Sequence, residues 1–190
     1  AFKVAVEAAV QNNLTYISLP SGVFLTNELL IPSGFTLRGN GKNTVIKTQY
    51  FANDETDGDG NSLSFDGNVV GLGTTSGRDI TVYDLTIDGN SENNILFSDE
   101  LDNYIMYFPE TSSSLFRGIE IRNTPGSGFY VQNSSRVSIE NSTFVDGGLT
   151  DRYTFTPLNA QESTTLRIND CLFENFSGPV DVSVTSVVST

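Results

Sequence analysis

A short pattern of alternating apolar residues recurs four times between residues 80 and 173. Each copy has apolar residues two positions apart, followed by an Asn or Asp. A second apolar pair comes next in two copies, and Phe144 alone does so in a third. The copies are I-T-V-Y-D-L-T-I, G-I-E-I-R-N, V-S-I-E-N-S-T-F and L-R-I-N-D-C-L-F, with turn residues Asp84, Asn123, Asn141 and Asp170. Period-two alternation is typical of strands, and Asn and Asp tolerate the left-handed backbone of a one-residue corner. The unevenly spaced repeat predicts a solenoid of parallel strands with a fixed core and variable loops.

The first residues of the chain follow a different pattern. Phe2, Val6, Ala9 and Val10 fall on one face of a helix, and alanine is frequent there. The sequence therefore predicts a short capping helix over residues 1–14 and a β-solenoid over 15–190. No capping residue precedes the helix, and the last residues form a strand without a cap. We therefore expect the chain to be a fragment of a longer protein.

The residue inventory excludes several kinds of site. With 23 acidic and 10 basic residues the net charge is −13, and we expect no nucleic-acid partner because such proteins cluster Lys and Arg. The chain has no His, which excludes Ser-His-Asp, Cys-His and histidine metal sites. The single Cys171 is interpreted as a small buried residue. No apolar run reaches the ~18 residues of a membrane span, so no membrane insertion is expected.

One longer segment, residues 16–46, resembles a sequence motif of a known family. Residues 16–46 read Y-I-S-L-P-S-G-V-F-L-T-N-E-L-L-I-P-S-G-F-T-L-R-G-N-G-K-N-T-V-I. This segment resembles the opening of the pectate-lyase-like superfamily, with its Pro-x-Gly turn and L-x-G-x-G-x-x-T-x-I motif. The resemblance implies an all-β fold, a right-handed single-stranded parallel β-helix with a short N-terminal capping helix. The superfamily contains lyases, hydrolases, epimerases, phage tailspikes and inert structural proteins, so activity stays open.

In that superfamily the substrate lies beside the sheet that precedes each Asn or Asp corner. Here the resemblance assigns to that sheet residues 29–31, 69–72, 104–108, 128–132, 157–161 and 180–184. Alternation places Phe129 and Val131 inward, and Tyr130 and Gln132 outward. An outward stripe of aromatic, amide and carboxylate groups suits the ring faces and hydroxyls of sugars. The predicted substrate-binding residues are Tyr104, Tyr130, Gln132, Asn159, Gln161 and Asp181.

Acidic residues in the long loops are the candidates for catalysis. Glycoside hydrolysis uses two carboxyl groups, about 5–5.5 Å apart for retention or about 6.5–9.5 Å for inversion. Adjacent coils of a solenoid lie about 4.8 Å apart, so neighbouring coils can supply either separation. The predicted catalytic candidates are Asp99, Glu100, Asp102, Glu110, Asp146 and Asp151. Asp84 and Asp170 are interpreted instead as corner residues.

A further acidic segment, D-E-T-D-G-D-G-N at 54–61, resembles a calcium loop. Its alternating candidate ligands are Asp57, Asp59 and Asn61. The segment has Ser62 and Asn68 where an EF-hand loop requires Gly and Glu. We therefore expect no cofactor to be required and keep Ca²⁺ as a candidate ligand.

The leading hypothesis is recognition of a host cell-surface or extracellular polysaccharide, with depolymerisation left open. The resemblance and a composition rich in Asn, Ser, Thr and Gly favour a bacteriophage tailspike or receptor-binding protein. That class implies a homotrimer joined to other tail or virion proteins, located in the virion tail or outside the cell. The alternatives are a secreted polysaccharide lyase or glycoside hydrolase and a non-catalytic structural or adhesin module. Polygalacturonase chemistry is disfavoured because G-S-G at 126–128 lacks the His of that family's motif.

Overall fold

The computed structural model describes residues 2–26, 29–48, 69–74, 76–92, 104–147, 156–163, 165–178, 180–184 and 187–189. Helix α1 spans Phe2–Gln11. The strands are β1 Tyr16–Ser18, β2 Gly22–Thr26, β3 Leu29–Leu30, β4 Thr36–Arg38, β5 Thr44–Thr48, β6 Val69–Gly73, β7 Gly77–Arg78, β8 Thr81–Asp88, β9 Tyr104–Pro109, β10 Thr111–Ser112, β11 Leu115–Thr124, β12 Ser127–Gln132, β13 Val137–Glu140, β14 Thr143–Gly147, β15 Leu158–Ser163, β16 Leu166–Asn169, β17 Leu172–Phe176, β18 Asp181–Val184 and β19 Val187–Ser189.

Parallel pairing between successive coils joins the described strands into two large sheets and one small one. Sheet A has 11 strands, and its main path runs β1-β4-β8-β11-β13-β16-β19. Sheet B has six strands in the order β18-β15-β12-β9-β6-β3. The chain alternates between the sheets and returns one strand further along, which is the arrangement of a parallel β-helix. The predicted all-β solenoid is confirmed, and the strands of sheet B overlap the six segments predicted to lie beside the substrate.

Left-handed residues form four columns along the solenoid, one at each corner of the coils. The residues of these columns are either glycines with positive φ or other residues with φ between 48° and 57°. The registers align the columns as follows: column 1 is Gly34, Asp79, Ser113 and Arg136; column 2 is Asp84, Gly118, Asn141 and Asp170; column 3 is Asn123, Asp146 and Asn175; column 4 is Glu110, Asn133 and Glu162.

The predicted corners at Asp84, Asn123, Asn141 and Asp170 are all left-handed, but Asn123 is not equivalent to the other three. Strand β11 pairs Arg117 with Tyr83 and Ile119 with Leu85, so Gly118 lies opposite Asp84. Each coil crosses sheet A in two straight segments, or legs, which in β11 are residues 115–117 and 119–122. Asn123 follows the second leg, so it belongs to column 3. Both legs alternate apolar and polar residues, so the pattern alone matches an Asn at the end of either leg.

The core is a continuous row of apolar side chains between the two sheets. Phe108, Phe116 and Phe129 pack edge to face, with ring centroids 4.7–5.6 Å apart, the geometry that aromatic quadrupoles favour. At one end the row includes Val6 and Ala9 of α1. The part of the chain that the structure describes holds no helix long and apolar enough to cross a membrane.

Small polar side chains directly after the corners satisfy backbone groups inside the coils. Ser142 Oγ donates to the carbonyl of Glu140 at 2.8 Å and accepts from the N–H of Ile119 at 3.3 Å. Cys171 has the equivalent place one coil later, and its thiol donates to the carbonyl of Asn169 at 3.3 Å. Burial raises the pKa of the Cys171 thiol. This partly buried cysteine therefore satisfies a backbone carbonyl next to the corner and also packs against the core.

Replacing Gly39 with alanine is expected to lower the free energy of unfolding by about 2 kcal/mol. An added Cβ would collide with the backbone oxygen of Asp84 and lie 2.7 Å from Cβ of Leu85. Both atoms belong to β8, so the overlap can be relieved only by moving a strand. Urea denaturation followed by circular dichroism measures the loss. The control is Gly41→Ala. There the added Cβ would have no atom within 4 Å, and only the φ of 71° disfavours a side chain. An equal or larger loss of stability for Gly41→Ala would contradict the packing argument.

Candidate functional site

The outward side of sheet B carries a compact group of polar and aromatic residues. Tyr107 and Tyr130 are in register with Asn159, and Gln132 is in register with Gln161. We call these five residues the sheet B face. The intervening Phe129 and Val131 are 1% and 0% exposed and lie in the core, as the alternation predicts.

The tyrosines pack on one another. Tyr107 and Tyr130 are stacked with centroids 5.1 Å apart and an interplanar angle of 3°, and the Tyr104 ring lies 4.5 Å from that of Tyr130. Tyr104 is 5% exposed and Tyr130 8%, so both predicted binding residues are largely covered, and their rings pack against aromatic neighbours. Tyr107 is only half-buried and presents the more accessible ring. Tyr107 is not among the predicted binding residues, although its place between the apolar Met106 and Phe108 indicates an outward side chain.

Asn159 connects the tyrosines to the next coil. Its Nδ2 donates to Tyr104 Oη at 2.9 Å. Its Oδ1 is buried and has no hydrogen-bond partner among the described residues. An unmet buried acceptor costs about 1–3 kcal/mol, so a donor that reached it would be favoured. Asp181 is in register with Asn159, but its side chain lies outside the described part of the structure.

The corners at the end of sheet B hold two carboxylates. Glu110 follows β9 directly in a tight corner rather than in a long loop, which corrects its predicted placement. Glu162 occupies the same column two coils away, with Asn133 between them, so their backbones are about 9.6 Å apart. Glu162 Oε2 accepts from Gln132 Nε2 at 3.5 Å. Glu162 was missed, although F-P-E-T, V-Q-N-S and A-Q-E-S end three successive strands of sheet B.

The backbone of these two glutamates is unusual. Their φ values are 48° and 49°, a region that Gly, Asn and Asp enter more readily than Glu. Asn133, at φ 50°, is the expected residue for this corner. Strained backbone concentrates at functional sites. Because Glu stands at two positions of this column where Asn would fit the backbone better, Glu110 and Glu162 are candidate functional residues.

Asp146, the other catalytic candidate that the structure describes, does not join this group. Asp146 lies in β14, in column 3, and its Oδ1 accepts from Asn175 Nδ2 at 2.9 Å, so its placement in a long loop is wrong and it serves as a corner residue. Outside the described residues lie the catalytic candidates Asp99, Glu100, Asp102 and Asp151 and the calcium candidates Asp57, Asp59 and Asn61. Within the described ranges, no three His, Cys, Asp or Glu side chains are grouped as metal ligands.

A second charged group lies on the outer side of sheet A. Arg122 Nε is 3.1 Å from Asp88 Oδ2, and its Nη1 is 3.2 Å from Glu120 Oε1. Lys42 also pairs with Glu120, and Asn123 Nδ2 donates to Asp88 at 3.3 Å. The two carboxylate side chains are only 8% and 11% exposed. Each buried charge therefore has partners, and this group acts as a structural connection between coils.

The sequence matches no protein-family model and no curated protein. Solved structures with the same fold do exist. A candidate glycosyl hydrolase from Parabacteroides merdae is 11% identical, with a TM-score of 0.65 over 99% of this chain and 86% of that one. The A-modules of the Azotobacter vinelandii mannuronan C-5 epimerases AlgE6 and AlgE4 are 19% and 17% identical, each with a TM-score of 0.57. They cover 96% and 89% of this chain, which spans 51% of each module. At these identities the likeness establishes the parallel β-helix fold.

Proposed function

We propose that this protein recognises a polysaccharide along the sheet B face. The observation that carries the proposal is a half-exposed tyrosine and three amide side chains on the outer face of one sheet, with two glutamates at the corner where that sheet ends. Sugars offer apolar ring faces and many hydroxyls, which aromatic and amide groups bind together. The structural likeness to a candidate glycosyl hydrolase and two mannuronan epimerase modules supports the same class of ligand.

The proposed architecture is a right-handed, single-stranded β-helix with α1 as its N-terminal cap. Parallel crossovers are right-handed in about 98% of cases, which supports the handedness. The burial of Val6 and Ala9 against the first coils supports the capping role. The proposed setting is a bacteriophage tailspike, a homotrimer in the virion tail, and it rests on composition and the resemblance of residues 16–46. A secreted polysaccharide lyase or hydrolase and a non-catalytic adhesin are the alternatives.

If the protein cleaves its ligand, we propose Glu110 and Glu162 as the carboxylate pair. Their side chains extend from backbones about 9.6 Å apart, a spacing from which the about 6.5–9.5 Å separation of an inverting pair can be reached. One carboxyl group would protonate the glycosidic oxygen, and the other would take a proton from the attacking water. Gln132, which donates to Glu162, orients one member of the pair.

Titration with a panel of capsular and extracellular polysaccharides tests recognition. We expect Tyr107→Ala and Gln132→Ala each to weaken binding about tenfold, since each removes roughly 1.4 kcal/mol of contact. The matched control is Leu172→Ala, an exposed apolar residue of sheet A, which should bind as the unaltered chain does. Absence of binding to every polysaccharide, or equal binding by all variants, would contradict the proposal.

The same panel separates the alternatives when product formation is followed with Ca²⁺ or with a chelator. Release of reducing ends without an ultraviolet absorbance rise indicates a hydrolase. A rise that requires Ca²⁺ indicates a lyase and would move the search for catalytic groups away from Glu110 and Glu162. Binding without any product indicates a non-catalytic recognition module.

A further inference from the structure

The N-terminal end of the solenoid exposes an unusual amount of apolar surface. Nine large apolar side chains are exposed among the described residues, and seven of them lie between Val4 and Leu30, in α1 and the first coil. Single apolar residues on a surface are ordinary, but a cluster of them is typical of a contact site. The distribution therefore points to a contact site at this end of the molecule.

An open groove lies between α1 and the first strand of sheet B, within this cluster. Its volume is about 510 Å³, which is in the range of ligand-binding pockets. Val6 and Ile31 in its lining are 3% and 1% exposed, whereas Val10 and Leu30 are 45% and 42% exposed. The groove therefore has both a buried and an accessible apolar lining. We call it the cap groove and define it by Val6, Glu7, Val10, Leu30, Ile31 and Pro32.

One wall of the cap groove is the open edge of a β-sheet. Among the described strands, β3 is the last of sheet B and pairs only with β6. The N–H of Ile31 donates to the carbonyl of Gly73 at 2.7 Å, on the β6 side. Alternate residues of a parallel strand direct both backbone groups to the same side, so the N–H and carbonyl of Leu30 face the open edge. Strand β3 has no charge or proline that would block the addition of another strand.

The charge of the cap groove favours a cationic ligand. Among the residues that line the groove, Glu7 alone is charged, and its side chain is exposed. None of the ion pairs between described residues includes Glu7. The whole chain has a net charge of −13, which attracts cations and repels anions over a longer range. A lysine or arginine on a ligand would therefore be stabilised beside Glu7.

We infer that the cap groove binds an extended segment of another polypeptide, with apolar residues at alternate positions and a lysine or arginine. A peptide strand supplies the donor and acceptor that Leu30 requires, and it directs alternate side chains toward Val10 and Ile31. A helix or a lipid chain would cover the apolar lining but leave the sheet edge unpaired. A second copy of this chain is disfavoured by its own charge of −13. The inference does not rest on the proposed function, because later coils form the sheet B face.

The test uses the acetylated and amidated heptapeptide K-V-T-V-T-V-K as the probe, titrated into the complete chain by calorimetry. Val10→Gln should weaken binding about fivefold, because it replaces part of the apolar lining with a polar group. The matched control is Val4→Gln, the same change on the same helix, at a valine that is 63% exposed and lies outside the groove lining. Binding by the control should stay within about twofold of the unaltered chain. Thermal unfolding checks that both variants are folded.

Two pairs of peptides test the backbone and the charge separately. One pair is N-methylated at the valines or at the threonines. Strand pairing predicts that one of the two binds about tenfold more weakly, because only alternate N–H groups face β3. The other pair has lysine or glutamine at the ends, and Glu7→Gln should weaken the lysine peptide about two- to fivefold and leave the glutamine peptide unchanged. The Leu30 amide should exchange with solvent more slowly in the complex.

Several outcomes would overturn the inference. They are absence of binding by the unaltered chain, equal weakening by Val4→Gln and Val10→Gln, equal affinity of the two N-methylated peptides, and no protection of the Leu30 amide. A concentration-dependent dimer in sedimentation that Val10→Gln abolishes would assign the groove to a second copy instead. None of these results bears on polysaccharide recognition, which Tyr107→Ala and Gln132→Ala test on a different surface.

Discussion

Replacing Arg122 with methionine is expected to lower the free energy of unfolding by about 3 kcal/mol, the largest loss of stability that we anticipate. The reason is the burial of its two partners: the Asp88 and Glu120 side chains are 8% and 11% exposed. Methionine retains most of the apolar stem but leaves Asp88 without a cation. Asp88 keeps its hydrogen bonds from Asn123 Nδ2 and the Asn90 N–H, but a buried carboxylate without a counter-charge is far more costly than an exposed one. Urea denaturation of the variant measures the loss.

The matched control is Arg117→Met in the same strand, β11. Arg117 is exposed and contacts the Tyr83 ring, a contact worth about 0.5–1 kcal/mol, so its loss should cost much less. Adding Asp88→Asn to Arg122→Met should recover part of the stability, because the amide is neutral. Equal losses for the two arginines, or no recovery with the double variant, would show that the ion pairs between coils contribute little.

Replacing Glu162 with glutamine is expected to leave polysaccharide binding intact and to reduce cleavage by about 10²- to 10⁴-fold, if the protein cleaves its ligand through this pair. Glu110→Gln should have the same effect, because each carboxyl group has its own proton-transfer role. Reducing-end assays on the polysaccharide that binds provide the measurement. Glu174→Gln is the matched control, since Glu174 is exposed on sheet A and lies in neither column 4 nor the sheet B face.

A second variant at the same site distinguishes function from packing. Glu162→Asn should raise the free energy of unfolding by about 0.5–1 kcal/mol, because Asn adopts the left-handed backbone more easily, while cleavage is still lost. Opposite effects on stability and activity would indicate that Glu162 is kept for function. If both glutamine variants cleave normally, the pair is not catalytic. Recognition by the sheet B face would be unaffected by that result.

Much of the fold follows from local chemistry. The period-two alternation predicts which segments become strands, and all six segments assigned to the substrate side overlap strands of sheet B. Asp84, Asn141 and Asp170 were predictable corners because few residues accept a φ near 50°. Asn123 was misassigned because the same alternation precedes the corners of both legs. Only the pairing of Arg117 with Tyr83 shows that Gly118 takes the equivalent place.

The candidate site was predictable as a surface but not as a set of contacts. The outward direction of Tyr130, Gln132 and Gln161 follows from the pleat of their strands. The burial of Tyr130 does not, because it depends on a ring from the preceding coil. Glu110 was found as an acidic residue, yet its relation to Glu162 depends on how three coils align.

The sequence by itself determined the strand periodicity, the corner residues and the exclusion of histidine sites, because each depends on neighbours within a few positions or on residue counts alone. The tertiary structure decided which coils stack in which register. That register brings Arg122 to Asp88, packs Tyr130 against Tyr104 and Tyr107 of the preceding coil, and aligns Arg38 with Arg117 across Tyr83. These contacts join residues from different coils. Their distances are set by the lengths of the intervening loops and the packing of the core, which no local pattern encodes.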